Sequence, residues 1–307
     1  MIDCDVLIIG SGPAGYTAAL YTTRAGLKTN LYTGVNVGGQ LMYTHAVENF
    51  PAFDFISGPD LMEKFQHQVK SLGTNIFNEK ITHLKCDTYP FEFKTETNQI
   101  GQAKTVILAT GANAKWLGAT NEEKYKGNGI SVCATCDGFF YRNKTIAVIG
   151  GGSTALYEAL YLSHIAEKVY LINRSDIFVG EPILQKQVFN HPKIHVLYHT
   201  IVQSFEGDSR LKSINIVDTK TQKRTVLPVN GVFEAIGTEP ETSLVHQQIL
   251  LTPSGHILTD KRTMATSVNG IFACGDVQED TYRQAIIAAG SGCIAALSAE
   301  KFIFSNR

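Results

Sequence analysis

An unbroken apolar run, Val6-Leu7-Ile8-Ile9, stands near the start of the chain and is closed by Gly10. A run without polar alternation predicts a strand buried on both faces, as in a parallel sheet. Gly10-Ser11-Gly12-Pro13-Ala14-Gly15 follows, and an Ala-rich stretch then predicts a helix to about residue 24. Residues 28–33 read as a second strand, which completes a strand–helix–strand unit. After a loop, residues 60–72 carry helical periodicity, strand-like pieces follow, and residues 105–111 predict another buried strand.

The pattern then recurs. Ile146-Ala147-Val148-Ile149-Gly150-Gly151-Gly152-Ser153-Thr154-Ala155 repeats the first turn, with Gly150 standing 140 residues after Gly10. The echo continues into the helices, Ala18-Ala19-Leu20-Tyr21 against Glu158-Ala159-Leu160-Tyr161, and residues 168–174 supply the following strand. The predicted fold class is α/β, with one Rossmann-like dinucleotide-binding domain occurring twice. No low-complexity linker intervenes, so the crossings between domains fall near residues 112–115 and 238–243. Residues 270–277 give a late strand ending Gly275-Asp276-Val277, and residues 282–304 a long helix rich in Ala and Ile. Its Gly290 and Gly292 permit close packing or the approach of a ligand.

Composition narrows the function classes. The chain of 307 residues carries 27 Lys and Arg against 28 Asp and Glu, a balance that argues against nucleic acid or an acidic membrane surface as partner. With 44% apolar and 18% charged residues it has the makings of a packed core. No uninterrupted apolar run approaches the roughly 18 residues of a membrane span, which predicts no membrane helix. The first residues, Met1-Ile2-Asp3-Cys4-Asp5, lack the basic flank and cleavage site of a secretory signal, so a cytoplasmic location is expected.

Gly-x-Gly-x-x-Gly between a buried strand and a helix points to a dinucleotide. The first glycine allows the tight turn, the second lets the backbone approach a pyrophosphate, and the third lets helix and strand pack closely. The helix N-terminus then offers unpaired N–H groups to the phosphates. Two such units suggest a flavin on one and a nicotinamide on the other. Asp276 is placed to return to the first unit and bond the flavin there, which makes that domain discontinuous. Tyr32-Thr33-Gly34 lacks the ribose-binding carboxylate usual after the second strand.

Of six cysteines, Cys4, Cys86, Cys274 and Cys293 are isolated and read as small core residues. Cys133 and Cys136 form Cys-x-x-Cys. Two further ligands for zinc are not at hand, so the pair reads as redox-active and no metal site is expected. A turn entering a helix brings such sulfurs within disulfide reach, and the helix N-terminus favours the thiolate. Asp137 follows directly, where a thiolate must gain or lose a proton; as a helix-start residue it has a purely structural reading too.

Together these landmarks resemble the low-molecular-weight thioredoxin reductases over nearly the whole chain. They are Gly10-Ser11-Gly12-Pro13-Ala14-Gly15, Gly38-Gly39-Gln40-Leu41, Glu48-Asn49-Phe50-Pro51, Ala109-Thr110-Gly111 and Cys133-Ala134-Thr135-Cys136-Asp137-Gly138. Gly150-Gly151-Gly152, Ile236-Gly237, Gly275-Asp276-Val277 and Tyr282-Arg283-Gln284-Ala285 continue them.

The resemblance implies an FAD domain from residues 1–112 and 243–307, with a nicotinamide domain inserted over 115–240. FAD would lie against Gly10, Ser11, Gly12, Pro13, Ala14, Gly15, Thr33, Gly38, Gly39, Gln40 and Asn49. Thr110, Gly111, Gly275, Asp276, Val277, Arg283, Gln284 and Ala285 would complete its site. NADPH or NADH would lie against Gly150, Gly151, Gly152, Ser153, Thr154, Asn173 and Arg174. Cys136 would be the flavin-side thiol, Cys133 the one that attacks thioredoxin, and Asp137 the general acid. A homodimer whose domains rotate relative to each other is also implied.

The chain departs from that family in its second unit. Members that use NADPH show His-Arg-Arg after the second strand and another Arg four residues on; here Asn173-Arg174-Ser175 and Val179 stand there. Leu156-Tyr157-Glu158 replaces a common acidic pair. Two other readings therefore stand beside a nicotinamide-fed reductase. One is the same architecture fed by a donor such as reduced ferredoxin. The other is a non-catalytic dinucleotide sensor, for which an intact cysteine pair has no use.

Overall fold

The computed structural model describes residues 2–44, 46–279 and 281–305. The chain forms two compact units, residues 1–113 with 239–307 and residues 114–238.

The first unit begins with β1 (Ile2–Ile9), α1 (Pro13–Arg24) and β2 (Thr29–Tyr32). Val6, Leu7 and Ile8 are fully buried, as the unbroken apolar run requires. Burial of each such side chain contributes about 1.5–3 kcal/mol. Pro13 sits at the start of α1, where its missing N–H costs nothing. Next comes α2 (Gly58–Ser71), whose N-cap Ser57 accepts from the Asp60 N–H at 3.1 Å. Then follow β3 (Asn75–Phe77), β4 (Ile81–Leu84), β5 (Phe91–Thr95) and β6 (Ile100–Leu108). β7 (Ala112–Ala114) leads out of the unit.

The second unit carries α3 (Glu122–Tyr125), β8 (Ile130–Ser131), α4 (Ala134–Asp137), β9 (Thr145–Ile149), α5 (Ser153–Ser163) and β10 (Lys168–Ile172). It continues with α6 (Pro182–Phe189), β11 (Ile194–Leu197), β12 (Thr200–Gly207), β13 (Leu211–Asp218), β14 (Arg224–Pro228) and β15 (Gly231–Glu234). β16 (Thr238–Pro240) is the second crossing and pairs with β7. The first unit is then completed by β17 (Ile271–Ala273) and α7 (Ala285–Ser305).

Each unit is built on a mostly parallel sheet. In the first the order is β3-β2-β1-β6-β5-β4, with β17 parallel to the last part of β6 and β5 and β4 antiparallel. In the second the order is β11-β10-β9-β15-β8, parallel throughout. An antiparallel sheet, β12-β13-β14, is added to the second unit and was not foreseen in the sequence. In both units the glycine turn leaves the C-terminal end of a central strand, the place where doubly wound sheets take their ligands.

Among the described residues one helix, α7, is long and apolar enough to cross a membrane by length and composition. Its apolarity is spread by Gly and Ser among Ala and Ile, so no single run reveals it. The helix is a core element of its unit: Ala288, Ala295, Ala296, Ala299 and Ile303 are buried with Ala14 and Ala18 of α1 in one cluster. A side chain at Gly292 would put its first carbon 2.2 Å from the Ala14 carbonyl, so glycine allows α1 and α7 their close approach.

Candidate active site

The turn after β1 has the three steric features that a pyrophosphate loop needs. Gly10 has φ +113°, and a Cβ there would stand 2.1 Å from the Ala109 carbonyl at the end of β6. A Cβ on Gly15 would strike the Gly10 carbonyl at 2.0 Å. At Gly12 a Cβ would meet nothing within 4 Å, so the backbone there faces open space at the mouth of α1. Two positions are closed against the fold and one is open. That is the pattern of a cradle whose free N–H groups can meet phosphate oxygens.

Further expected residues contact this turn or one another. Ser11 Oγ donates to the Thr33 carbonyl at 3.2 Å and accepts from the Gly38 N–H at 3.0 Å. Gly39 lies against Gly12, its would-be Cβ 3.4 Å from the Gly12 Cα. Gln40 donates to the Asn113 side chain at 3.2 Å, and Asn49 to Gln284 at 3.3 Å. Gly275 adjoins Ala14, with 3.0 Å between its would-be Cβ and the Ala14 Cβ. Burial pushes the Asp276 carboxyl up to about 6, against the pull of Arg283. Arg283 and Gln284 precede the first residue of α7, Ala285.

Two expected residues turn away. The Val277 side chain is wholly buried in the core, and the Thr110 hydroxyl is engaged by the Glu241 carbonyl at 2.7 Å. The Val277 side chain is thus out of reach, while the Thr110 oxygen keeps its acceptor lone pairs.

The second turn repeats the geometry. A Cβ on Gly150 would stand 2.5 Å from the Ala235 carbonyl, whereas one on Gly152 would meet nothing within 4 Å. Asn173 is buried under the turn, close enough that a Cβ on Gly151 would reach its Oδ1 at 2.7 Å. Its amide donates to the Ile177 carbonyl at 2.8 Å, and its Oδ1 accepts from Ser175. The segment after β10 folds back onto the turn, with the Val179 N–H on the Gly151 carbonyl at 2.9 Å and the Glu181 N–H on Ser153 Oγ at 3.1 Å. Thr154 lies in the first turn of α5. Arg174, Ser175, Asp176 and Val179 form an exposed rim there, with one guanidinium among them.

Cys133 and Cys136 form a disulfide, with their Cα atoms 5.3 Å apart. Cys133 is the N-cap of α4 and Cys136 its third residue, so one helical turn carries both sulfurs. The Cys133 N–H is held by Ser131 Oγ at 3.0 Å, and the Asp137 N–H by the Cys133 carbonyl at 3.1 Å. Thr135 Oγ1 approaches Cys133 Sγ to 3.5 Å. Ser131 and Thr135 escaped the sequence reading, because neither residue type nor spacing marks them. Behind α4, Gly138 allows tight packing on α5, where a Cβ would meet a Leu162 methyl at 2.8 Å. Both cysteines and Asp137 are half-buried.

The other cysteines are of a different kind. Burial pushes the thiols of Cys4 and Cys274 up to about 12 and that of Cys86 to about 11, so all three stay protonated near neutral pH. Cys293 is half-buried on α7.

Comparison with known proteins places this arrangement. Residues 4–292 match the family described as pyridine nucleotide-disulphide oxidoreductase. The chain is 46% identical over 306 residues to the thioredoxin reductase of Rickettsia conorii, covering 98% of this chain and 99% of the relative. It is 44% identical over 304 residues to that of Streptomyces coelicolor, covering 97% and 94%. Among solved structures, the thioredoxin reductase from Giardia duodenalis superposes with a TM-score of 0.95 at 37% identity, covering 99% of this chain and all of that one.

Proposed function

The chain belongs to the pyridine nucleotide-disulphide oxidoreductase family and, within it, to the thioredoxin reductases, and on that premise we propose that FAD and NADPH are its two cofactors. FAD is assigned to the unit of residues 1–113 and 239–307, and NADPH to the unit of residues 114–238. The residues fit both groups, since each turn presents one open glycine, Gly12 or Gly152, at a helix mouth. The observation that carries the reading is the Cys133–Cys136 disulfide at the start of α4, in the same chain as two such turns.

Held by the first turn, FAD would supply two-electron redox chemistry between the nicotinamide and the Cys133–Cys136 disulfide. The chain's own residues do the rest. Reduction leaves Cys133 and Cys136 as a dithiol, and the start of α4 favours the thiolate over the thiol. The Cys133 thiolate attacks one sulfur of the thioredoxin disulfide and displaces the other as a thiolate, forming a mixed disulfide. Asp137 protonates the departing sulfur. Cys136 then attacks Cys133 Sγ, the mixed disulfide breaks, thioredoxin leaves as a dithiol, and Cys133–Cys136 is restored.

Phe139 and Phe140, 58% and 38% exposed just behind the disulfide, offer an apolar surface for the incoming protein. Arg142 lies over the Phe139 ring, 5.3 Å from its centroid. A homodimer is also proposed, supported by the exposed apolar residues Ile286, Ile287 and Leu297 on α7 and Tyr21 on α1.

A ferredoxin-fed reading is not favoured, because the relatives are pyridine nucleotide-disulphide oxidoreductases and the second turn keeps its open glycine. The test is a coupled assay of the purified protein with NADPH and a thioredoxin. NADPH consumption that depends on thioredoxin is expected. Reduction by ferredoxin in place of either nicotinamide would overturn the donor assignment.

A further inference from the structure

Thr135 stands between the two cysteines at the second position of α4, and its hydroxyl oxygen lies 3.5 Å from Cys133 Sγ. The direction of this bond follows from the disulfide. A disulfide sulfur carries no hydrogen, so Thr135 donates and Cys133 Sγ accepts. The placement has a local cause. Side chains on a helix lean toward its N-terminus, which aims the second residue back toward the N-cap, Cys133. The β-branch of threonine then limits the hydroxyl to few rotamers.

The backbone of Cys133 is held as well. Ser131 Oγ accepts its N–H at 3.0 Å and donates to its carbonyl at 3.4 Å. The same carbonyl accepts the Cys136 N–H at 3.3 Å and the Asp137 N–H at 3.1 Å. On reduction Cys133 Sγ therefore moves mainly by rotation of its own side chain and stays within reach of Thr135. Two thiols formed side by side ionise one at a time, because the first negative charge opposes the second. A donor aimed at one sulfur decides which, since a hydrogen bond to a thiolate is charge-assisted and favours the charged form.

We propose that the Thr135 hydroxyl is the donor that makes Cys133, rather than Cys136, the thiolate of the reduced pair. The inference rests on the reading of Cys133 as the sulfur that attacks thioredoxin. In that attack a bond forms between Cys133 Sγ and one thioredoxin sulfur, the thioredoxin disulfide breaks, and the negative charge passes to the departing sulfur. Thr135 keeps its proton throughout. A tenfold gain in thiolate costs about threefold in intrinsic nucleophilicity, so a net gain of about threefold remains at neutral pH.

The test follows the two sulfurs separately. The purified protein is reduced with dithiothreitol, freed of it and treated with iodoacetamide over a range of pH, and the labelled sulfur is located by peptide fragmentation. Thr135→Val keeps the shape of the side chain and removes only the hydroxyl. It should slow Cys133 labelling at pH 7 about threefold and move its pH midpoint up by about one unit, with Cys136 labelled no more slowly. Thr135→Ser, which keeps the hydroxyl, should label like the parent. Asp137 on the same turn, Tyr141 and Arg142 behind it and Tyr161 of α5 are common to all three proteins, so their charges cancel in the comparison. Thioredoxin takes no part in this readout, so it is scored apart from the functional reading, which stands or falls on the coupled assay. Cys133 labelling in Thr135→Val at the parent rate and midpoint overturns the proposal, as does a Thr135→Ser protein that behaves like Thr135→Val.

Discussion

Asn49 and Gln284 stand 235 positions apart in the chain, and the Asn49 amide donates to the Gln284 side chain at 3.3 Å. The bond joins the loop before α2 to the residue that precedes α7, two segments far apart in the chain. That loop is pinned at its base, where Val47 and Ile56 exchange backbone hydrogen bonds of 2.8 and 3.1 Å. Within it Ala52 has φ +82°. A left-handed conformation costs a non-glycine residue about 1–2 kcal/mol, and glycine returns about 0.5–1 kcal/mol of that as backbone entropy lost on folding. Ala52→Gly should therefore stabilise the protein slightly, by about 1 kcal/mol, seen as a thermal midpoint a few degrees higher. An unchanged or lower midpoint would show that the loop carries no such strain.

Glu234, at the end of β15, gives a pH dependence of stability. Burial and the neighbouring Glu122 hold its carboxyl far above the ordinary value of 4.5, although the Leu117 N–H and Lys126 pull it down. The Leu117 N–H reaches Glu234 Oε2 at 3.1 Å, while Glu122 accepts from the Gly118 N–H at 3.1 Å. Two buried carboxyl groups side by side cannot both ionise cheaply, so Glu234 keeps its proton in the fold. The unfolded chain loses that proton above 4.5 and the folded chain does not. Unfolding thus releases a proton in this window, and stability falls as pH rises from the ordinary value toward the raised one. Glu234→Gln keeps the shape without the proton, and its midpoint should fall less steeply over that range. Parallel curves for parent and variant would assign Glu234 no such role.

Asp137→Asn should slow thioredoxin reduction without releasing flavin, because flavin binding is assigned to the other unit. A positioned acid is typically worth about 10²–10⁴-fold in rate. Turnover within about twofold of the parent would leave Asp137 a structural residue at the end of α4.

Donor choice follows from the exposed rim after β10. A charge-assisted hydrogen bond contributes about 1.5–3 kcal/mol, and each 1.4 kcal/mol is about tenfold in affinity. With Arg174 as the one guanidinium at 173–179, NADPH should be preferred over NADH by less than about tenfold, since exposure and salt weaken that contact. Ser175→Arg with Val179→Arg should raise the preference, read from flavin reduction rates with the two nucleotides. A parent preference above about a hundredfold would contradict this account of the rim.

The sequence was most legible where local pattern and burial coincide. Val6–Ile9 and Ile146–Ile149 are unbroken apolar runs before glycine turns, and both became central parallel strands. Cys133 and Cys136 were legible because a spacing of three within one turn sets the distance between sulfurs. The sheet β12-β13-β14 was not, because its long exposed stretches and bulges at Val202–Ser204 and Glu206–Gly207 break the two-residue alternation. α7 starts at Ala285 rather than near residue 282, and β17 covers three residues of the expected eight. Beyond β17 the chain turns tightly at Gly275–Val277, with Gly275 at φ +74° beside Ala14. The convergence of Glu234 and Glu122 on the Leu117 and Gly118 N–H groups depends on elements that meet only in the fold and leaves no mark in local sequence.

The most direct measurement follows electrons through the disulfide one cysteine at a time. Cys133→Ser and Cys136→Ser proteins, each loaded with FAD, are given NADPH and oxidised thioredoxin without oxygen, while flavin bleaching and thioredoxin thiols are recorded together. The account predicts that the nucleotide still bleaches the flavin in both variants and that thioredoxin thiols form in neither. Sustained thioredoxin reduction by either variant would contradict it, because the electrons would then reach the substrate without the Cys133–Cys136 pair.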